Sequence, residues 1–278
     1  MRRVPVFDVT DALAAILEEA AYRLPQDYLE ALEAARSREE SPLGQQTLDF
    51  LLANARLAET EGVATCQDTG MAVIFLEVGQ DVIFVGGDLR EALEEGVRRA
   101  YRNLRKSVVR DPLLRENTGD NTPPIVHYEI VPGDKVRIRA LLKGFGAELM
   151  SAVVMLPATA GKEGVKRFVL EVIERAGPNA CPPVIVGVGL GGSFDSVALL
   201  AKKALLRPLG AKNPKPHLAK LEEELLEAIN ALGIGPQGFG GRITALGVHV
   251  ESYPTHIAAL PIAVNLNCSA PRRAEVFI

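Results

Sequence analysis

The spacing of hydrophobic positions changes near residue 70. Before it, apolar side chains recur every three or four positions, as in "VTDALAAILEEAAYRL" and in the stretch from Asp27 to Gly62. This spacing predicts helices, with Thr10 as the N-cap of the first. The runs "MAVIFLEV" and "DVIFVGG" are short and rich in β-branched and aromatic residues, and Gly79 and Gln80 join them. They predict a first β-hairpin.

The later part of the chain alternates helices and strands. "DLREALEEGVRRAYRNLRKSVV" predicts a helix capped by Asp88, and "IVHYEIVPGDKVRIRALLKG" predicts a second hairpin with a Pro-Gly-Asp turn. From about Lys162 to Cys268, helical and strand patterns interleave. The predicted fold is therefore α/β, a mixed sheet with β-hairpins covered by helices and a mostly helical N-terminal third. Without a linker or an internal repeat, one domain over residues 1–278 is expected.

Composition narrows the kind of partner. The chain has 278 residues, 47% of them hydrophobic, and a net charge of -4 with both signs scattered along it. It offers no basic stripe for nucleic acid, so a small-molecule partner is expected. No apolar run reaches the length of a membrane span, and the first 20 residues do not form a signal peptide. We therefore expect a cytoplasmic protein that does not enter a membrane.

A glycine-rich turn raises one candidate function. Gly187, Gly189 and Gly192 fit the G-x-G-x-x-G spacing, after a predicted strand and before a predicted helix, as in dinucleotide-binding folds. The acidic residue expected at the end of a following strand is missing, because a Pro-punctuated loop and another helix come next. A nicotinamide-dependent oxidoreductase therefore remains one alternative, and a tight turn between strand and helix is the other.

The three cysteines raise a different candidate. Cys66, Cys181 and Cys268 lie far apart in sequence, each where a predicted element begins or ends. Three cysteines cannot all pair in disulfides, so a secreted disulfide framework is not expected. Three thiolates are one short of a closed iron–sulfur site and would leave one iron open to substrate as a Lewis acid. Buried cysteines in a non-catalytic scaffold subunit are the alternative.

Two further positions carry candidate site chemistry. His256 stands at a loop-to-strand edge that leads towards Cys268, so it is a candidate site residue as well as a candidate structural histidine. Arg105 and Lys106 end a predicted helix, where they could clamp a dicarboxylate or simply complement the helix C-terminus.

Five stretches, in order, resemble one known family. They are "CQDTGMAVIF", "NTGDNTPPIVHYEIVPGDKV", "ACPPVIVGVGLGG", "GIGPQGFGGRITALGVHVE" and "PTHIAALPIAVNLNCSAPRRA". From about residue 40 onwards the chain is similar to the alpha subunit, or N-terminal half, of class I fumarase and L-tartrate dehydratase. The resemblance implies an iron–sulfur hydro-lyase, in which three cysteines hold a [4Fe-4S] cluster and the fourth iron binds a hydroxydicarboxylate.

The resemblance also assigns residues. It implies Cys66, Cys181 and Cys268 as cluster ligands and Asp68 and His256 as catalytic residues, with Asp68 acting on the departing hydroxyl. It implies Gln67, Arg105 and Gly146 as substrate-binding residues. One stretch departs from the family: its substrate loop usually reads K-G-G-G-S-E-N, whereas residues 143–149 here read "KGFGAEL", without the serine and the asparagine.

The expected activity is the reversible hydration of fumarate to L-malate, a reaction of the tricarboxylic acid cycle. Dehydration of L-tartrate is the alternative within the family. The family's C-terminal domain, which handles the proton on carbon, has no counterpart in this sequence. A separate beta subunit is therefore implied, in a hetero-oligomer such as two alpha and two beta chains.

Overall fold

Two compact units make up the chain, and each is built from separate segments. The computed structural model describes residues 1–278. Unit 1 consists of Met1–Pro25, Ala55–Gly144 and Pro271–Ile278, and unit 2 of Gln26–Asn54 and Phe145–Ala270. The segments of the two units alternate along the sequence, so the units are not joined by a single linker that the composition could reveal.

Eight helices and ten strands form the two units. The helices are α1 (Val6–Tyr22), α2 (Gln26–Arg38), α3 (Pro42–Glu61), α4 (Leu89–Ala100), α5 (Phe145–Glu148), α6 (Gly161–Ala176), α7 (Phe194–Ala204) and α8 (Pro216–Ala231). The strands are β1 (Arg2–Pro5), β2 (Met71–Gly79), β3 (Val82–Val85), β4 (Ile125–Val131), β5 (Val136–Lys143), β6 (Ala152–Pro157), β7 (Val184–Gly192), β8 (Ala245–Thr255), β9 (Ala259–Asn267) and β10 (Arg273–Phe277). The predicted α/β class with mixed sheets is confirmed. None of the helices is both long enough and apolar enough to cross a bilayer.

The predicted helix starts have different outcomes. Asp88 caps α4, because its side chain accepts a hydrogen bond of 3.0 Å from the backbone N–H of Glu91. The prediction for Thr10 was wrong: α1 begins at Val6, directly after β1, so Thr10 lies inside the helix. There its buried hydroxyl donates to the carbonyl of Ala92 at 2.9 Å, which links α1 to α4.

The predicted strands exist, but neither predicted hairpin forms. The main sheet of unit 1 has the order β10-β5-β2-β4, with β2 parallel to β4 and antiparallel to β5. Since β4 and β5 occupy both edges of β2, β3 has no free edge there and pairs with β1. β4 and β5 therefore lie on opposite sides of β2 and do not pair with each other.

The main sheet of unit 2 has the same arrangement. Its order is β6-β9-β7-β8, with central β7 parallel to β8 and antiparallel to β9. Met71 at the start of β2 lies opposite Lys143 at the end of β5, and Ile185 near the start of β7 lies opposite Asn267 at the end of β9. In each unit, therefore, the chain entering the central strand runs beside the chain leaving its antiparallel neighbour. The sequence gives no sign of this structural repeat.

A buried carboxylate ties α2 to a glycine-rich loop in unit 2. Glu39, 2% exposed, accepts hydrogen bonds from four backbone N–H groups. Two belong to the next residues, Glu40 and Ser41, and two to Arg242 and Ile243, at distances of 2.8–2.9 Å. A Cβ atom at Gly241 would lie 2.6 Å from the Glu39 carboxylate, so this loop approaches closely because it carries a glycine there.

Candidate active site

The polar stretch before β2 is held in a tight turn. The Asp68 carboxylate accepts a hydrogen bond of 2.9 Å through Oδ1 from the backbone N–H of Gly70. Gly70 has a φ of +78°, and a Cβ atom on it would lie 2.9 Å from backbone atoms of Leu142 and Lys143. Only glycine fits this position without strain. The turn therefore fixes where Asp68 stands at the mouth of the strand.

Two buried side chains connect this turn to the chain that follows α4. The Thr69 hydroxyl donates to the carbonyl of Arg105 at 2.6 Å. The hydroxyl of Tyr101 lies 3.0 Å from the carbonyls of both Thr69 and Gly70. Burial raises the pKa of Tyr101 far above its ordinary value of 10.0, so its hydroxyl keeps its proton and remains a donor.

Asn121 is the third connection. It is fully buried and its φ is +67°, a conformation that asparagine tolerates better than most residues. Its Oδ1 accepts from the backbone N–H groups of Ser107 (2.7 Å) and Val108 (3.1 Å), and its Nδ2 donates to the Gly70 carbonyl at 3.1 Å. One side chain thus sets the spacing between the Asp68 turn and the segment that carries Arg105.

Between these segments lies a polar cavity of about 390 Å³ in unit 1. Its lining residues are Gln67, Asp68, Arg105, Lys106, Ser107 and Asn117. The cavity offers two cations, one carboxylate, two amides and a hydroxyl, which suit a small anion that also carries hydroxyl groups. The structure therefore brings together three residues predicted as substrate-contacting, Gln67, Asp68 and Arg105.

Unit 2 holds two of the three cysteines, on neighbouring segments. Cys181 is exposed, has a φ of +53° and directly precedes the stretch that leads into β7, while Cys268 follows β9. The backbone N–H of Ser269 donates to the Cys181 carbonyl at 3.0 Å. The Gln237 side chain bridges the same segments, donating to the Pro182 carbonyl (2.7 Å) and the Ser269 hydroxyl (3.0 Å).

The three cysteines are the donors that would hold the cluster implied by the resemblance. None of the three cysteines is part of a disulfide, and thiol sulfur is the ligand that iron–sulfur clusters use. Cys66 and Cys268 are half-buried and Cys181 is exposed, all in loops next to strand ends. The donor chemistry therefore fits. No group of three or more His, Cys, Asp or Glu side chains is arranged to hold a metal ion in this structure.

Two predicted residues lie elsewhere in unit 2. His256 is exposed in the turn between β8 and β9, where its Nδ1 accepts from the backbone N–H of Ala258 at 3.2 Å. Cys268 lies at the other end of β9, and nine strand residues at about 3.3 Å each separate the two by roughly 30 Å. The structure therefore does not bring His256 to the cysteines of its own unit. Gly146 lies in α5, exposed, with room for a side chain.

The glycines of the G-x-G-x-x-G pattern have a packing role. A Cβ atom on Gly187 would lie 2.2 Å from the carbonyl oxygen of Ala201, and one on Gly189 would lie 2.2 Å from that of Val197. Both carbonyls belong to α7. The two glycines therefore allow α7 to lie directly against β7, which accounts for them without a bound dinucleotide.

Sequence reasoning missed several residues around the cavity. Ser107 and Asn117 line it, and Asn121 supports it, although Asn117 and Asn121 both lie in a stretch that carries the family resemblance. Arg272, almost fully buried, was not singled out as a site residue either. The available signal was the density of asparagine, glycine and threonine in residues 117–122, which indicates turns in which side chains bond to the backbone.

We expect Asn121→Ala to lower the free energy of unfolding by about 3 kcal/mol, because it leaves the N–H groups of Ser107 and Val108 unpaired and removes one of the two donors to the Gly70 carbonyl. Urea denaturation measures this change. Asn121→Asp is the matched variant: it keeps the acceptor for Ser107 and Val108 and loses the donor to Gly70, so its loss should be smaller. An alanine variant as stable as the unsubstituted protein would contradict the role given to Asn121.

Comparisons with known proteins agree over nearly the whole chain. A family model described as Fumarate hydratase (Fumerase) matches residues 10–277. The putative L(+)-tartrate dehydratase subunit alpha of Methanocaldococcus jannaschii is 42% identical over 274 residues, which cover 96% of both chains. The L(+)-tartrate dehydratase subunits alpha of Escherichia coli O157:H7 and K12 are 36% and 35% identical over 277 residues, 97% of this chain and 90% of theirs.

Proposed function

This chain belongs to the fumarate hydratase family, a family of hydro-lyases, and we propose that it is the alpha subunit of a two-subunit L(+)-tartrate dehydratase. The main support is the cavity of unit 1, in which Gln67, Asp68 and Arg105 meet. The names of the relatives favour tartrate over fumarate, although fumarate is the substrate first expected from the sequence. The proposal therefore adopts the alternative substrate.

The chemistry of tartrate dehydration suits the groups in the cavity. A proton leaves one carbon and a hydroxyl leaves the adjacent carbon, so that water and the enol of oxaloacetate are formed. Arg105 and Lys106 supply two positive charges for the carboxylates of a dianion. In this proposal Asp68 faces the departing hydroxyl and acts on it, while the Gln67 amide hydrogen-bonds to the substrate.

The proposal assigns the three cysteines to a [4Fe-4S] cluster. Cys66, Cys181 and Cys268 would hold it through their sulfur atoms. When bound, such a cluster supplies an open iron as a Lewis acid, which makes a hydroxyl a better leaving group. His256 receives no step, because it lies at the far end of β9 from Cys268.

A second subunit is part of the proposal. The matched relatives are named as alpha subunits, and the family resemblance assigns the group that takes the proton from carbon to the other half of the enzyme. No residue of this chain is given that role. We therefore expect the alpha chain alone to be inactive even when its cluster is reconstituted.

Anaerobic co-expression with the beta subunit tests the function. The purified pair should convert L(+)-tartrate to oxaloacetate with a kcat/KM at least about 10-fold above that for L-malate, because the site must pair a second hydroxyl. The alpha chain alone, reconstituted with iron and sulfide, is the control and should show no turnover.

The other outcomes separate the alternatives. Preference for malate and fumarate would assign the chain to fumarate hydration, as the description of the family model suggests. Full turnover by the alpha chain alone would refute the two-subunit proposal. A pair that dehydrates neither acid but binds a nicotinamide cofactor would indicate the oxidoreductase.

A further inference from the structure

Arg272 is a buried cation. Its side chain is 2% exposed, and its Nε has no hydrogen-bond partner. The ion pairs of unit 1 use other arginines, among them Arg98, Arg99, Arg137 and Arg139. Burying a charge without compensation destabilises a protein, so a buried arginine that serves only the fold normally has partners. This exception suggests another use for its charge.

Arg272 lies beside the predicted catalytic carboxylate. A Cβ atom on Gly144 would stand 3.2 Å from Nη2 of Arg272 and 3.3 Å from Oδ2 of Asp68. The two charged groups are therefore no more than roughly 6.5 Å apart, a separation at which opposite charges attract strongly away from bulk water. Oδ1 of Asp68 is held by the N–H of Gly70, so Oδ2 is the oxygen on the side of Arg272.

Both charged groups also act electrostatically on Tyr101, the residue that connects the Asp68 turn to the Arg105 segment. Besides burial, which raises the pKa of Tyr101, the Arg272 charge lowers it and the Asp68 charge raises it. Arg272 is fixed in turn by its own backbone, because its carbonyl accepts a hydrogen bond of 2.9 Å from the N–H of Leu142. The backbone at Arg272 is thus anchored to β5.

We propose that Arg272 is a positioning residue, whose buried charge holds the Asp68 carboxylate in its catalytic orientation across the space kept clear by Gly144. This proposal rests on the proposed function for the role of Asp68. It accounts for a buried arginine with an unpaired Nε and for a glycine close to both groups. A side chain at position 144 would be wedged between Arg272 and Asp68.

Arg272→Met in the co-expressed pair tests the positioning role. We expect kcat to fall about 100-fold while KM changes less than about threefold, because misplacing a catalytic group acts mainly in the transition state. Arg272→Lys should recover about tenfold of the loss. The melting temperature of Arg272→Met should fall by no more than about 4 °C, since the variant removes the cost of a buried charge together with its attraction to Asp68.

Two further variants sharpen the test. Gly144→Ala should lower kcat by a similar factor and add little to Arg272→Met, because both disturb the same pair. Arg137→Met is the matched control: this arginine lies on the same sheet and pairs with Glu275, away from Asp68, so kcat should be unchanged. An Arg272→Met variant with undiminished kcat, or one that loses its fold together with its activity, would overturn the proposal.

A measurement on the fold alone separates this proposal from the proposed function. Asp68→Asn should lower the melting temperature by about 4 °C when Arg272 is present and by less than about 1 °C in the Arg272→Met background. If this coupling is found but the pair dehydrates neither tartrate nor malate, the proposed function fails and the Asp68–Arg272 interaction stands. If the pair is active and the coupling is absent, the positioning role of Arg272 is refuted.

Discussion

Cys181→Ser should abolish the visible absorbance of the anaerobically reconstituted protein and reduce hydro-lyase turnover by roughly three orders of magnitude. Serine offers a hydroxyl where an iron–sulfur cluster needs a thiolate, and loss of a Lewis acid removes several kcal/mol of transition-state stabilisation. Cys181 is exposed beside the segment that carries Cys268, so serine fits there without a change in packing. Iron content, absorbance and turnover are measured on the same sample.

Ser269→Ala is the control for this substitution. Its hydroxyl accepts a hydrogen bond from the Gln237 side chain, whereas its backbone N–H, which bonds to Cys181, remains after the change. The variant disturbs the same pair of segments without removing a sulfur, and we expect it to keep its cluster. If the Cys181→Ser protein retained full colour and activity, Cys181 would not be a ligand and the cluster proposal would fail.

Glu39→Gln should lower the free energy of unfolding by about 3 kcal/mol at neutral pH. The charged carboxylate accepts four backbone N–H groups, and hydrogen bonds to charged acceptors are the stronger kind. A glutamine side chain keeps one acceptor oxygen. Its NH₂ group would face backbone N–H groups, so that donors would meet donors. Glu40→Gln is the matched control: Glu40 is exposed and pairs only with Arg242 among cations, so its loss should stay below about 0.5 kcal/mol.

The effect of Glu39 should depend on pH in a defined direction. Burial raises the pKa of Glu39, but the backbone N–H groups outweigh burial and hold the pKa below the ordinary value of 4.5. The folded state therefore binds the proton more weakly than the unfolded state. The stabilisation is complete above pH 4.5 and is lost as the pH falls through the lower folded-state pKa. Urea titrations of both proteins should converge in acid; a difference independent of pH would exclude the charge as its source.

The sequence predicted where helices and strands lie better than it predicted which strands pair with each other. A run of β-branched and aromatic residues marked β2, and alternation of apolar residues marked β4 and β5, because both patterns are local. The pairing was wrong, since two strands that follow one another can both prefer a third, earlier strand. The turn between β4 and β5 illustrates this: Pro-Gly-Asp permits a reversal, but β2 occupies the space between the strands.

Residues that line the candidate site were predicted through motifs, but the buried charged residues that stabilise the surrounding structure were not. Gln67, Asp68 and Arg105 were named from the resemblance and share one cavity. Arg272 and Glu39 were missed because charged residues are mostly exposed, and nothing in the neighbouring sequence distinguishes a buried one. His256 was linked to Cys268 by its place before β9, yet a strand of nine residues keeps its two ends far apart.

Unit 1 is built from three segments that are separated in the sequence by segments of unit 2. This separation has a consequence for synthesis on the ribosome. β5 emerges about 130 residues before β10, the strand that covers its outer edge, a delay on the order of 10 s at ordinary translation rates. During this interval the nascent chain exposes an open strand edge, the feature through which polypeptides aggregate. Arg137 and Arg139 place charged side chains along β5, and charged side chains on an open edge strand discourage its pairing with another chain until β10 arrives.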